Sequence, residues 1–315
     1  MRAPARVRRV EPAAISNVAL LVVRFALGIG LRAAGRLPGG AHATINAIGV
    51  NVALPALILV HVHEVDLGPG LARAVATAWL AFAAGALFFL AAARAFALSR
   101  ETTGALILTG GLANTSFVGV PMIEAFYGSH GIALAIVIDQ LGSYLILATV
   151  GIVVAAVASG GRFDPAACAR KIMTFPPLVA VALALALRGV EYAPWLAALL
   201  ERLGDLVAPL ALLSVGYQLR LGALRGNLRG LGLGLAFKLV VAPLAVVLVL
   251  VGHLGLDGDN TRITAFEMAM PPMIGAAIVA AEHRLNPPLV ALMVGIGIPL
   301  SFVTLPLWWF VLARI

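Results

Sequence analysis

Residues Gly110–Gly128 read G-G-L-A-N-T-S-F-V-G-V-P-M-I-E-A-F-Y-G. The surroundings are strongly apolar, yet this run holds Asn114, Thr115 and Ser116 together, followed by Gly119 and Pro121. Pro121 has no N–H to donate, and its ring clashes with the preceding turn. In hydrocarbon, an interrupted helix persists only where protein or a water-filled cavity satisfies the freed backbone groups. The stretch therefore reads as a broken membrane-spanning segment, a feature that marks the substrate site of many secondary transporters. The plainer reading is a Pro-kinked helix whose Asn and Thr only bond a neighbouring helix.

Composition sets the class. The 315 residues are 62% hydrophobic and 11% charged, with a mean hydropathy of +1.03, well beyond the roughly half-apolar norm of soluble domains. A spanning helix needs about 20 apolar residues, which leaves room for about ten spans. The formal net charge of +8 would point to nucleic acid in a soluble protein. Here the basic residues punctuate apolar segments, as in cytoplasmic loops, so no nucleic-acid partner is expected. Cys168 is the single cysteine, which excludes an internal disulfide framework. The basic start followed by an apolar run resembles a signal peptide, but the run continues past Arg24, as a first spanning helix would.

Ten apolar segments are expected, at about 14–35, 42–61, 73–93, 103–125, 130–157, 172–189, 195–219, 229–252, 261–281 and 287–312. The longest polar connection, 159–171, divides them five and five, giving a first unit at 1–158 and a second at 172–315 within one membrane domain. Eleven basic residues (Arg32, Arg36, Arg94, Arg100, Arg162, Arg170, Lys171, Arg220, Arg225, Arg229, Arg284) fall in one set of loops. Five (Arg73, Arg188, Arg202, Arg262, Arg314) fall in the other. The positive-inside rule places the richer set in the cytoplasm and both termini outside, against the vote of Arg2, Arg6, Arg8 and Arg9. Pro55 and Pro209 are 209 − 55 = 154 residues apart, and Pro121 and Pro271 are 271 − 121 = 150 apart. Five spans per half make the second half an inverted copy of the first. Matched Pro- or Gly-broken segments in such repeats point to a site near the midplane. The fold expected is thus an all-α polytopic membrane protein of ten helices in two inverted five-helix repeats, with broken helices 4 and 9 crossing.

Polar groups inside the segments are the candidate functional residues. Asp139, with Gln140 beside it, lies mid-segment, as a proton carrier or as a structural partner. Glu267 precedes the ninth-segment break by one turn and either faces the crossing or reaches outward. Lys238 lies about 14 Å into the eighth segment, where it could counter an anion, pair with a carboxylate or extend to the surface. Arg24 poses the same question on a helix expected to be peripheral. Asn46 and Asn51 could contact substrate from the opposite wall or bond between helices. His61, His63, Glu64 and Asp66 have metal-like spacing by chance, and no metal or cofactor is expected. Gly230, Gly232 and Gly234 lack the strand of a dinucleotide fingerprint and read as helix-packing residues. No nucleophile–base pair has strong spacing, so an enzyme is poorly supported.

These motifs resemble the auxin efflux carrier family, which includes the plant PIN-FORMED exporters and bacterial permeases of malonate and other organic acids. The resemblance runs from about Ile15 to Val311. It rests on Thr44–Asn46 with Leu54–Leu57, Asn114–Pro121 (N-T-S-F-V-G-V-P), Asp139, and Ala208–Gly216. It continues through Phe237–Pro243, Glu267–Pro272 (E-M-A-M-P-P) and the closing L-V-A-L-M-V-G-I-G-I-P-L-S-F-V-T-L-P. The resemblance implies ten spans in inverted repeats, and a mobile crossing domain moving against a scaffold of segments 1, 2, 6 and 7. It also places Asn114 and Pro271 at the crossing. Asn51 stands where the family is usually apolar, and the central loop is too short for the long regulatory loop of the plant exporters.

The expectation is a multi-pass inner-membrane carrier of a small organic anion, working by elevator-like alternating access and possessing no enzymatic activity. Asn114, Thr115, Asn46, Asn51, Pro121, Pro271 and Pro272 would form the substrate site. Asp139, Glu267 and Lys238 would couple transport to a proton or to sodium. A homodimer in the lipid bilayer is compatible with the sequence. Two alternatives remain: a sodium-coupled symporter of the bile-acid type using Asn114, Thr115 and Glu267 as cation ligands, and a non-transporting sensor binding its ligand at the same place.

Overall fold

The computed structural model describes residues 12–63, 68–161, 164–218 and 226–315. Glu64, Asp66, Arg162, Arg220, Arg225 and the N-terminal arginines lie outside the described residues, as do the side chains of Cys168 and Lys171. Among the described residues the secondary structure is helical, and the one extended pairing is an isolated antiparallel bridge between Ala113 and Pro272.

The chain opens with α1 (Pro12–Ala33), 22 residues and hence about 33 Å long. α2 (Ala41–Ile48), a π-helical turn at Gly49–Ala53 and α3 (Leu54–His61) make one continuous rod. α4 (Pro69–Phe96) follows, then α5 (Arg100–Gly111), an interruption, a π-turn at Thr115–Gly119 and α6 (Val120–Tyr127). α7 (Ile132–Val137), π-turns at Ile138–Tyr144 and Leu147–Gly151, and α8 (Ile152–Ser159) form the next rod. The second half begins with α9 (Pro165–Met173), α10 (Pro176–Ala186), α11 (Pro194–Gly204) and α12 (Val207–Gln218). α13 (Leu228–Ala236), a π-turn at Phe237–Val241, α14 (Ala242–Val247) and a π-turn at Leu248–His253 are continuous. α15 (Asp259–Met268), a second interruption, α16 (Ile274–Glu282) and α17 (Pro287–Leu312) close the chain.

Among the described residues, five helical stretches are long and apolar enough to cross a membrane: Ala41–His61, Gly70–Phe96, Ser129–Ser159, Leu228–His253 and Pro287–Leu312. Leu80, Leu87, Leu244, Leu248, Val303 and Leu307 are large, apolar and exposed. A soluble protein would bury such a surface, whereas lipid covers it here. The π-turns release carbonyls from the regular ladder, and other helices satisfy them. Trp79 Nε1 of α4 donates to Leu141 O at 3.0 Å, and Trp308 Nε1 of α17 donates to Leu239 O at 2.8 Å. Helix entries follow local chemistry, as Ser99 caps α5 by accepting from Thr102 N, and Asn286 caps α17 by accepting from Leu289 N.

Helices pack in two groups. In one, α1 lies on α12, while α3 lies on α10 and α11. Its polar ties include Tyr217 Oη to Pro38 O (2.8 Å), Ser214 Oγ to Asn46 Oδ1 (2.5 Å) and Tyr192 Oη to Leu59 O (3.2 Å). The other group gathers α4 to α8 and α13 to α17 around α5, tied by the two tryptophan bonds and by Asn286 Nδ2 to Thr102 Oγ1 (2.9 Å). Among the described residues, aromatic contacts bridge the seam. Tyr144 stacks on Phe175 with centroids 3.7 Å apart, and Phe25 meets Phe302 at 5.3 Å.

The first interruption sits at Leu112–Asn114, ahead of the proline that marked it in the sequence. Pro121 directly follows the Thr115–Gly119 π-turn, whose displaced hydrogen-bond pattern accommodates a residue with no N–H inside a continuing helix. The chain is helical from Thr115 through Pro121 to Tyr127. The second interruption, Ala269–Met273, contains Pro271 and Pro272 as expected.

Candidate functional site

The two interruptions are joined backbone to backbone. Asn114 N donates to Pro271 O at 2.8 Å, and Met273 N donates to Leu112 O at 3.3 Å. Each break would strand amides and carbonyls in an apolar interior, and each supplies partners for the other. Four half-helices converge there: α5 and α15 arrive with their carbonyl ends, and the Thr115 turn and α16 leave with their amide ends. Amide ends carry partial positive charge and suit an anion, while carbonyl ends suit a cation.

The side chains at this junction are polar and buried. Asn114 is 1% exposed, and both its Nδ2 and Oδ1 lack a hydrogen bond. Thr115 Oγ1 donates to Asp139 Oδ1 at 2.5 Å, and Gln140 Nε2 donates to Asp139 Oδ2 at 2.6 Å. Asp139 and Gln140 lie in the Ile138–Tyr144 π-turn, whose bulged geometry turns both side chains of a sequence-adjacent pair into the interior.

Glu267 is fully buried near the end of α15, and neither carboxylate oxygen has a hydrogen-bond partner. It interacts electrostatically with both Asp139 and Lys238. Its carboxylate fills the space that a side chain at residue 119 would need, since a Cβ on Gly119 would come within 2.6 Å of Oε2. Lys238, in the Phe237–Val241 π-turn, is buried and donates to Met268 O at 3.2 Å. The ammonium thus closes the carbonyl end of α15, where a cation is favoured.

The structure therefore brings together Asn114, Thr115, Asp139, Glu267, Lys238, Pro271 and Pro272. Neither Lys238 nor Glu267 reaches the surface. Asn46 stands elsewhere, half-buried on α2 and bonded to Ser214 of α12. Asn51 is exposed and donates to Ala47 O of its own helix at 2.7 Å. Among the described residues no group of three or more His, Cys, Asp or Glu side chains could hold a metal ion. Gly230 and Gly234 pack on Leu289 and Met293 of α17, while Gly232 faces open space.

Two residues have surroundings that the sequence does not reveal. Gly119 was noted only as a helix breaker, and its contact with Glu267 has no local sequence signal. Arg24, on a helix with an exposed outer face, lines a cavity of about 550 Å³ between the two helix groups.

Long apolar helices, two interruptions bonded to one another and a buried charged cluster at their junction define a polytopic membrane transport protein. Residues 13–164 and 166–309 match the membrane transport protein family, and the chain belongs to that family, the auxin efflux carriers. An uncharacterized transporter of Methanothermobacter thermautotrophicus is 28% identical over 305 residues, covering 94% of this chain and 97% of that one. An uncharacterized transporter of Methanocaldococcus jannaschii is 27% identical over 236 residues, covering 72% and 74% respectively.

Proposed function

We propose that the chain is a secondary carrier of a small organic anion, a carboxylate, in the cytoplasmic membrane, and that it is not an enzyme. The observation that carries this reading is the Asn114 amide, 1% exposed at the junction of two amide-ended half-helices with no hydrogen bond of its own. Buried polar groups are nearly always satisfied, and an exception calls for a partner that comes and goes. A carboxylate accepting from Nδ2 and from free backbone amides of the Thr115 turn would satisfy it.

Coupling follows from the neighbouring charges. Asp139 and Glu267 ionised beside a carboxylate would repel it, and Lys238 offsets only one charge of the pair. Binding of the anion is therefore linked to uptake of a proton on one of the carboxylates. In the second reading it is linked to a cation held by the free oxygens of Asn114 and Glu267, and those free oxygens are what favour the sodium-coupled alternative.

Ten spans in two inverted five-helix repeats, 1–158 and 172–315, accommodate this scheme. The pair of interrupted segments, with Pro121 and Pro271 lying 271 − 121 = 150 residues apart, supports such a repeat. The apolar seam between the two helix groups supports elevator-like movement of the crossing past the α1, α3, α10 and α12 side.

Counterflow in proteoliposomes tests the reading. Labelled malonate and other small carboxylates should exchange, and an imposed pH or sodium gradient should drive accumulation and identify the coupling ion. A protein that binds such acids and moves none of them is a sensor, and the carrier reading falls.

A further inference from the structure

A cavity of about 550 Å³ opens between the two helix groups, and Arg24, Asp205 and Ala208 on one side face Val120 and Glu124 on the other. It shares Val60, His61, Ser129 and Glu201 with a wider cleft of about 1310 Å³ that reaches the connections around Ser129 and Arg188–Tyr192. Together they form a funnel from one face of the molecule. Its floor includes Val120, the residue that follows the Thr115–Gly119 turn of the crossing.

The charges along the funnel are ordered. Gly28 and Gly216 sit against each other's helices, Gly216 directly on the Phe25 carbonyl, and Arg32 Nη1 bonds Tyr217 O further along, so α1 and α12 run in parallel. Asp205 is 216 − 205 = 11 residues before Gly216, and Arg24 only 28 − 24 = 4 before Gly28. At 1.5 Å per residue, Arg24 is rooted about 10 Å deeper than Asp205. Glu201 lies one turn further out, in the part shared with the wide cleft, and Glu124 is one turn from Val120. Arg24 is half-buried and has neither a hydrogen bond nor an ion pair among the described residues.

A guanidinium at the middle of a spanning helix is costly, and it is retained where it faces water and meets a counter-charge. Its planar fork matches a carboxylate bidentately. No protein carboxylate takes that place, although three line the same cavity.

We propose that Arg24 is the anion-capture residue of the inner funnel, binding the carboxylate of an incoming substrate before it reaches the crossing. The assignment rests on the anion-carrier reading and adds a second, outer station to it. The acidic residues nearer the mouth then repel anions weakly until Arg24 dominates, so anion selectivity is set at depth rather than at entry.

The test reads the local potential and needs no knowledge of the substrate. In full-length protein with Cys168→Ser, a reporter Ala208→Cys is reacted with an anionic sulfonatoethyl and a cationic trimethylammonioethyl methanethiosulfonate. The anionic-to-cationic rate ratio should fall about fivefold or more in Arg24→Gln and return in Arg24→Lys. A reporter at the mouth, Ser129→Cys, should change little. If Ala208→Cys does not fold, Val60→Cys replaces it. An unchanged ratio in Arg24→Gln, or a reporter that reacts with neither reagent, overturns the assignment. Failure of carboxylate counterflow with a ratio that still depends on Arg24 would instead count against the carrier reading alone.

Discussion

Asn114 is the residue on which the crossing turns, and its substitution separates binding from folding. An interhelical side-chain bond in a membrane is worth about 0.6 kcal/mol on average, and Asn114 makes none within the protein. Asn114→Ala should therefore leave the thermal transition nearly unchanged while abolishing carboxylate counterflow. A loss of folded protein in detergent would mark the amide as structural. Asp139→Asn keeps the bond from Thr115 and removes titration, so the variant should exchange substrate yet fail to accumulate it against a gradient. Full pH-driven accumulation would move the proton role to Glu267. Gly119→Ala places a Cβ against the Glu267 carboxylate and should lower stability by about 1–3 kcal/mol, as overpacking does. The loss should shrink in the Glu267→Ala background, and additive effects in that double-mutant cycle would show that the two sites do not touch. Asn114, Asp139 and Glu267 were legible because ionisable and amide groups stand out in apolar sequence. The Gly119 contact was not, since it joins positions 267 − 119 = 148 residues apart.

The elements show why composition locates broken helices better than single residues do. The proline pattern places the first interruption at Pro121, but the π-turn before it carries the helix through the proline, and the opening falls at Leu112–Asn114. Gly110 and Gly111, still inside α5, serve packing instead, since a side chain at Gly110 would strike the Phe89 ring at 2.5 Å. The π-turns were invisible, since no residue type encodes an i→i+5 ladder. Their carbonyl partners, Trp79 and Trp308, come from distant segments. These bonds carry a prediction of their own. Trp308→Phe keeps the ring and deletes the N–H to Leu239 O, which should cost about 1 kcal/mol and loosen the turn that holds Lys238. Hydrogen exchange at 237–241 should rise while that at α5 stays constant. Equal protection in both proteins would show that Leu239 O has found another donor.

At the scale of the whole molecule, the question is whether two helix groups move as bodies. The polar ties named above each stay within a group, such as Ser214 to Asn46 on one side and Trp308 to Leu239 on the other. The seam contacts between Tyr144 and Phe175 and between Phe25 and Phe302 are ring contacts, not hydrogen bonds. Apolar faces can slide with little change in energy at intermediate positions, whereas a hydrogen-bonded seam would have to break several bonds together. A covalent tie across the seam should therefore stop the cycle. Tyr144→Cys with Phe175→Cys, in a Cys168→Ser background, replaces two rings whose centroids are 3.7 Å apart with thiols that a short bifunctional methanethiosulfonate can bridge. Cross-linked protein in proteoliposomes should bind a carboxylate with unchanged affinity yet lose counterflow, and reduction of the mixed disulfides should restore it. The single-cysteine variants should transport under both conditions. Counterflow at full rate through the cross-linked protein would mean that the groups stay fixed and that access alternates by smaller movements at the crossing itself.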